Sequence, residues 1–270
     1  MIMVDTAQRF QDTKIFGLID DARHGNIWLW RTVVTMLIGS ALMFALQFVD
    51  VRLINGVSVW DKPAKFFISL VVQYGTVSWA LSQMPRVGGQ LRSIKWSVAL
   101  MLIAGWGEMA YMTFRASRAE ASHFNSSSLS GIIGYAMMGV GSLTLTFTAA
   151  FIGWKIWRKR SSGLWTEAAG LALMVGALLG TIAGGYMSAQ TSHWVGGVQS
   201  DANALALFNW STTGGDLRVA HFLGLHAAQF IPLAALSGDR RVVYISTLVL
   251  AIMTSSLFAM GIMGIPLFKA

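Results

Sequence analysis

Seven separate stretches of this chain are apolar for long enough to cross a lipid bilayer, and no other feature narrows its fold so far. A hydrocarbon layer about 30 Å thick takes about 20 residues of helix. The runs are Thr32–Val49, Phe66–Met84, Trp96–Phe114, Leu129–Trp154, Thr166–Ser188, Leu217–Leu236 and Val242–Phe268. In lipid a strand leaves backbone groups unpaired, so each run reads as a helix. The expected class is all-α: one transmembrane domain over residues 1–270, a seven-helix bundle. Only 12% of residues are charged and 54% are hydrophobic, where a soluble domain carries about a quarter charged.

The net charge of +8 invites a nucleic-acid reading. Lys and Arg, however, fall in short clusters between apolar runs and form no basic face, which argues for topology signals and against nucleic acid. Thirteen cations, among them Arg9, Arg86, Lys155 and Arg240, fall on the N-terminal side of the bundle, against seven on the other. That bias predicts a cytoplasmic N-terminus and an outer C-terminus. Residues 1–31 then form a cytoplasmic segment with the charge alternation of a short interfacial helix, and residues 189–216 a long extracytoplasmic loop. Loops of that length without structure of their own tend to be lids or binding loops. The absence of cysteine excludes disulfides, iron–sulfur clusters and thiolate zinc sites.

Polar residues inside apolar helices are costly and usually face the bundle interior. In the sixth run Arg218, His221, His226 and Gln229 fall on one arc of roughly 140° at 100° per residue. The third run gives Glu108, Tyr111, Arg115 and Ser122 at helical spacing, and the second gives Lys65, Ser69 and Thr76 behind a helix start at Asp61 and Pro63. Three stripes in the outer half of the bundle predict a shared buried pocket. Its candidate ligand-binding residues are Lys65, Tyr111, Arg115, Arg218 and Gln229, and its candidate acid–base groups are Glu108 and Asp216. His123, His193, His221 and His226 all fall on the same outer side and are candidate metal ligands.

Besides a structural or assembly subunit, whose polar cluster would only fix helix packing, three readings of the pocket stay open at this point. It binds a small anionic or amphipathic, lipid-like molecule through Lys65, Arg115 and Arg218. Alternatively, histidines with Glu108 or Asp216 hold zinc and hydrolyse a lipid ester or amide. In the third reading, two histidines ligate a b-type haem. His221 and His226 are five apart, whereas two ligands on one helix face are usually three or four apart. Gly139-Val140-Gly141 lies inside the fourth apolar run with no strand before it, so it is no nucleotide loop. Ala172, Gly176, Gly180, Gly184 and Ser188 form a small-residue ridge that admits a close helix neighbour, and Gly176, Gly180 and Gly184 offer a surface for oligomerisation.

The pieces DKPAKF (Asp61–Phe66), SHFN (Ser122–Asn125) and NWSTTGGDLRVAHFLGLHAAQ (Asn209–Gln229) resemble, in the same order, segments of a widespread set of bacterial integral membrane proteins. The resemblance covers most of the chain. It implies a bacterial inner-membrane, multi-pass location and names no chemistry. A looser likeness links the separated histidines to the membrane zinc hydrolases related to ceramidases and progestin receptors. The segment Val242–Phe268 lacks the lysine that a retinal Schiff base requires.

Overall fold

The computed structural model describes residues 17, 19–84, 92–125, 128–202, 204–205 and 207–269. Among the described residues seven long helices are present: α1 (Ile27–Leu46), α2 (Asp61–Ser82), α3 (Arg92–Ser117), α4 (Leu129–Trp157), α5 (Leu164–Ala189), α6 (Leu217–Leu233) and α7 (Arg240–Ile262). Each of the seven spans is long and apolar enough to cross a membrane, the sixth including the short 3-10 turn that extends α6 to Ser237, and together they mark a multi-pass membrane protein. Most of the segment expected as an interfacial helix, residues 1–16 and 18, lies outside the described residues, as do Arg86 and its neighbours.

The helices pack mainly in sequence order. The contact between α5 and α6 is the most extensive, followed by α4 with α5 and α1 with α2, while α2 touches α3, α4 and α5 only sparsely. Asn26 starts α1, its side chain accepting from the Trp28 and Leu29 amides, each at 3.1 Å, which satisfies two of the unpaired first-turn donors. Leu29, Val33, Met36, Ser40 and Met43, spaced by three and four, then bury one face. Ser40 Oγ donates to the Ala64 carbonyl at 3.1 Å, pinning α1 to α2.

The small-residue ridge of α5 is filled from within the chain. Gly176 lies against Leu225 and Ala228 of α6, Gly180 against Leu225 and Gly224, and Gly184 against His221. The missing side chains let the two backbones approach. The ridge is thus not an outward surface for oligomerisation; α6 occupies it.

One ion pair locks the end opposite the long loop. Glu167, 2% exposed, accepts from the Tyr244 hydroxyl at 2.7 Å and pairs with Arg240 at 2.8 Å, tying α5 to α7. Arg240→Ala leaves a buried carboxylate with one oxygen served, so we expect a loss of about 2–3 kcal/mol. Glu167→Gln in that background is expected to recover most of it, both read as thermal unfolding in detergent.

At the other end two short ribbons organise the loops. Leu53–Ile54 (β1) and Val57–Ser58 (β2) pair around Asn55-Gly56, both with positive φ, as a two-residue hairpin turn requires. Trp194–Val195 (β3) pairs with Gly215–Asp216 (β4), Trp194 opposite Asp216. The 190–216 segment is therefore closed at its base.

Candidate functional site

Asp216 ends β4 and caps α6, accepting from the Arg218 amide at 3.0 Å. Arg218 turns back over its own cap. Its guanidinium meets Asp216 at 2.7 Å and Asp201 at 3.0 Å and also donates to the Asn209 carbonyl. One cation thus gathers three parts of the loop. Asp201 lies with its pKa above the ordinary carboxylate range, because burial outweighs the pull of Arg218. Asn209 in turn donates to Asp61 at 2.8 Å, and Asp61 pairs with Lys65 at 2.7 Å. Arg115 donates to the Tyr111 hydroxyl at 2.9 Å and pairs with Glu120, whose own pKa Arg118, followed by Arg115, holds below the usual range despite some desolvation.

Lys65, Arg115 and Arg218, the three expected anion-attracting cations, are therefore all engaged by carboxylates of the chain. Lys62 is not. Among the described residues no carboxylate lies within 4.0 Å of its ammonium, which stands 5.9 Å from the centre of the Phe66 ring. The side chain keeps open surface, yet it is coupled to the charges of Arg218, Asp201 and Glu108. Sequence reasoning passed over Lys62 and chose Lys65.

An aromatic series lines this end. Phe66 of α2 lies 5.6 Å from His123, His123 lies 6.1 Å from Tyr135 of α4, and Phe124 lies 5.4 Å from Tyr135. Phe124 continues to His193 at 6.2 Å, and His193 to Trp194 at 3.9 Å. Trp194 faces Arg218 at 5.9 Å. Burial, joined by the charges of Lys62 and His193, holds the His123 pKa well below its ordinary value. Burial and then Arg218 push His193 down to about 3, with Asp216 opposing. Both rings are neutral at pH 7. Glu108 of α3 is 7% exposed and leans on Gly141, and its Oε1 has no hydrogen-bond partner among the described residues.

The remaining predicted residues diverge. His221 Nδ1 meets the Gly180 carbonyl at 2.8 Å, on the α5 side. His226 bonds Gln229 at 3.0 Å, and Gln229 donates to Thr76 of α2 at 2.8 Å. Among the described residues no three His, Asp or Glu side chains gather as a metal site, so the expected zinc centre on His123, His193, His221, His226 and Glu108 or Asp216 has no assembled donor set. Deeper in the bundle a void between Gln73, Thr146, Leu173, Gly176 and Leu225 measures about 10 Å³, room for about one water. What the arrangement can do is attract an anion to Lys62 and pack its apolar part on the aromatic series. No protein-family model, curated protein or solved structure matches this chain.

Proposed function

We propose that this protein lies in the bacterial cytoplasmic membrane, N-terminus inside, and binds a small anionic or amphipathic molecule at its extracytoplasmic end. The observation that carries the reading is Lys62: among the described residues its ammonium has no carboxylate partner, whereas Lys65, Arg115 and Arg218 are each paired. A cation that no carboxylate of the chain engages is available to make charge-assisted hydrogen bonds to an anion. The Phe66–Trp194 aromatic series supplies the apolar surface that an amphipathic molecule needs. The orientation rests on the excess of Lys and Arg on the N-terminal side.

Naphthalene-2-sulfonate, an amphipathic anion, is a suitable probe by titration calorimetry of the detergent-purified protein. Lys62→Met is expected to weaken binding by ten- to a hundredfold, the equivalent of about 1.4–2.7 kcal/mol. Lys65→Met, whose cation already serves Asp61, is expected to change it less than about threefold. Equal binding by wild type and Lys62→Met ends the proposal.

A further inference from the structure

We propose that His226 binds the hydroxyl group of a hydroquinone dissolved in the membrane, its Nε2 accepting the O–H. The site uses none of the side chains offered to an anion around Lys62.

One hydrogen-bond chain fixes what His226 can offer. The Thr76 hydroxyl gives its proton to the Val72 carbonyl of its own helix at 2.8 Å. Its oxygen is left to accept, and the Gln229 amide nitrogen donates to it at 2.8 Å. That orientation turns the Gln229 side-chain oxygen toward His226, where it meets Nδ1 at 3.0 Å. An acceptor cannot bond an acceptor, so Nδ1 carries the proton. In the neutral ring Nε2 is then a bare lone pair. Among the described residues nothing donates to it, and it keeps open surface.

Position limits the donor. His226 lies nine residues into α6 (Leu217–Leu233), about 14 Å along the axis, and its neighbour Phe230 is 44% exposed. At that depth in a membrane span no bulk water serves an acceptor, an ammonium is costly, and a phospholipid headgroup stays at the surface. A neutral hydroxyl on an otherwise apolar molecule meets all three conditions. The surroundings are aromatic. Phe222 lies 4.1 Å from the His226 ring and Phe230 lies 6.4 Å from it. Phe208 and Trp210, stacked at 4.5 Å, each lie 5.5 Å from Phe222. Such a series favours a hydroxyl carried on a flat aromatic ring. Apart from the Gln229–Thr76 tie, α2 and α6 make no extensive contact with each other that would cover this edge. A quinone has the same ring but only acceptor oxygens, which leave the bare nitrogen unserved. The site therefore selects the reduced form.

Duroquinol and duroquinone, handled without air, serve as probes by titration calorimetry of the protein in lipid nanodiscs, with protein-free nanodiscs subtracting partition into lipid. Wild type is expected to bind duroquinol about ten- to a hundredfold more tightly than duroquinone, the range for serving one desolvated acceptor. His226→Phe keeps an aromatic ring and is expected to bind the two forms within about threefold of each other. In Gln229→Leu the Nδ1 proton loses its acceptor and the tautomer is released, so the preference is expected to shrink by about threefold or more. Equal binding of the two forms by wild type, or a preference that survives either substitution in full, overturns the proposal. If His226→Phe does not fold, nitrogen NMR of histidine-labelled wild type decides. The Nε2 signal, identified by its change in Gln229→Leu, must leave the lone-pair region on adding duroquinol and stay there with duroquinone. A signal that does not move with duroquinol overturns the proposal.

Discussion

Arg218→Ala is expected to cost the fold about 3–5 kcal/mol, the range for removing one member of a buried ion-pair network. The size follows from what stays behind. Asp216 is 4% exposed and already serves the Ser211 amide at 2.9 Å and the first turn of α6; it cannot swing to water without breaking both. Asp201 is a reluctant anion even with Arg218 present, since burial raises its pKa. Deleting the guanidinium leaves two carboxylates together and the Asn209 carbonyl without its donor. Arg218→Lys keeps the charge but loses the fork that spans Asp216, Asp201 and Asn209, so about 1–3 kcal/mol is expected. Asp201→Asn is expected to cost least of the three, because it removes the carboxylate that burial disfavours. Thermal unfolding ranks the variants, and limited proteolysis should show the 190–216 segment opening first in Arg218→Ala. A melting temperature unchanged from wild type in Arg218→Ala contradicts the network's role as the clamp on that loop.

The helices were legible because burial in lipid leaves a coarse signature, a run of about 20 apolar residues. Their ends were not, because capping is local chemistry. Helix α1 starts at Ile27, five residues before the apolar run, since Asn26 caps it and Trp28 and Arg31 still fit a helix. Helix α7 stops at Ile262, six residues before the run does, where Gly264 adopts positive φ and Pro266 follows. The hairpin at Leu53–Ser58 carried its own signal in Asn55-Gly56, hidden only by its brevity. At the site, charge bias and periodicity led to the expectation that Glu108, His123, His193 and Arg218 share one side of the bundle. The identity of the unpaired cation was readable too. Asp61 and Lys65 stand at i and i+4, the favourable spacing for a helical ion pair, which assigns Lys65 to Asp61 and frees Lys62. Lys62, Phe66, Ser69 and Gln73 also share helical spacing, a stripe beside the one that began at Lys65. The split of His221 from His226 follows from their separation: about 140° is wide enough for one ring to meet α5 while the other reaches α2 through Gln229. Which neighbour each side meets is a matter of packing, and periodicity within one helix does not contain it.

Acidification is expected to loosen this end of the bundle well before carboxylates titrate. His123 and His193 are neutral in the folded protein and ordinary in the unfolded chain, where an imidazole binds its proton near pH 6.5. Between pH 6.5 and about 3 the unfolded chain therefore holds a proton at position 193 that the folded protein refuses. More protons on the unfolded side means that stability rises with pH, so it falls as the pH is lowered through this window. Each pH unit inside it costs about 1.4 kcal/mol per histidine. From pH 7.5 to pH 5 the two together are expected to remove about 4 kcal/mol, an order-of-magnitude figure. Asp50 and Glu120, held below the usual carboxylate range by Arg52 and Arg118, lose their contribution only below about pH 4. Asp201 works in the opposite direction: burial raises its pKa, so the folded form takes a proton before the unfolded chain does, which offsets part of the loss as the pH falls. Thermal midpoints of wild type, His123→Gln, His193→Gln and the double variant at pH 7.5 and pH 5 separate these terms. Each single substitution should flatten the pH response by about half, and the double variant should lose most of it. A wild-type midpoint that does not move between the two pH values shows that both imidazoles reach water or an acceptor, and with that the dry aromatic lining beside Lys62 is lost.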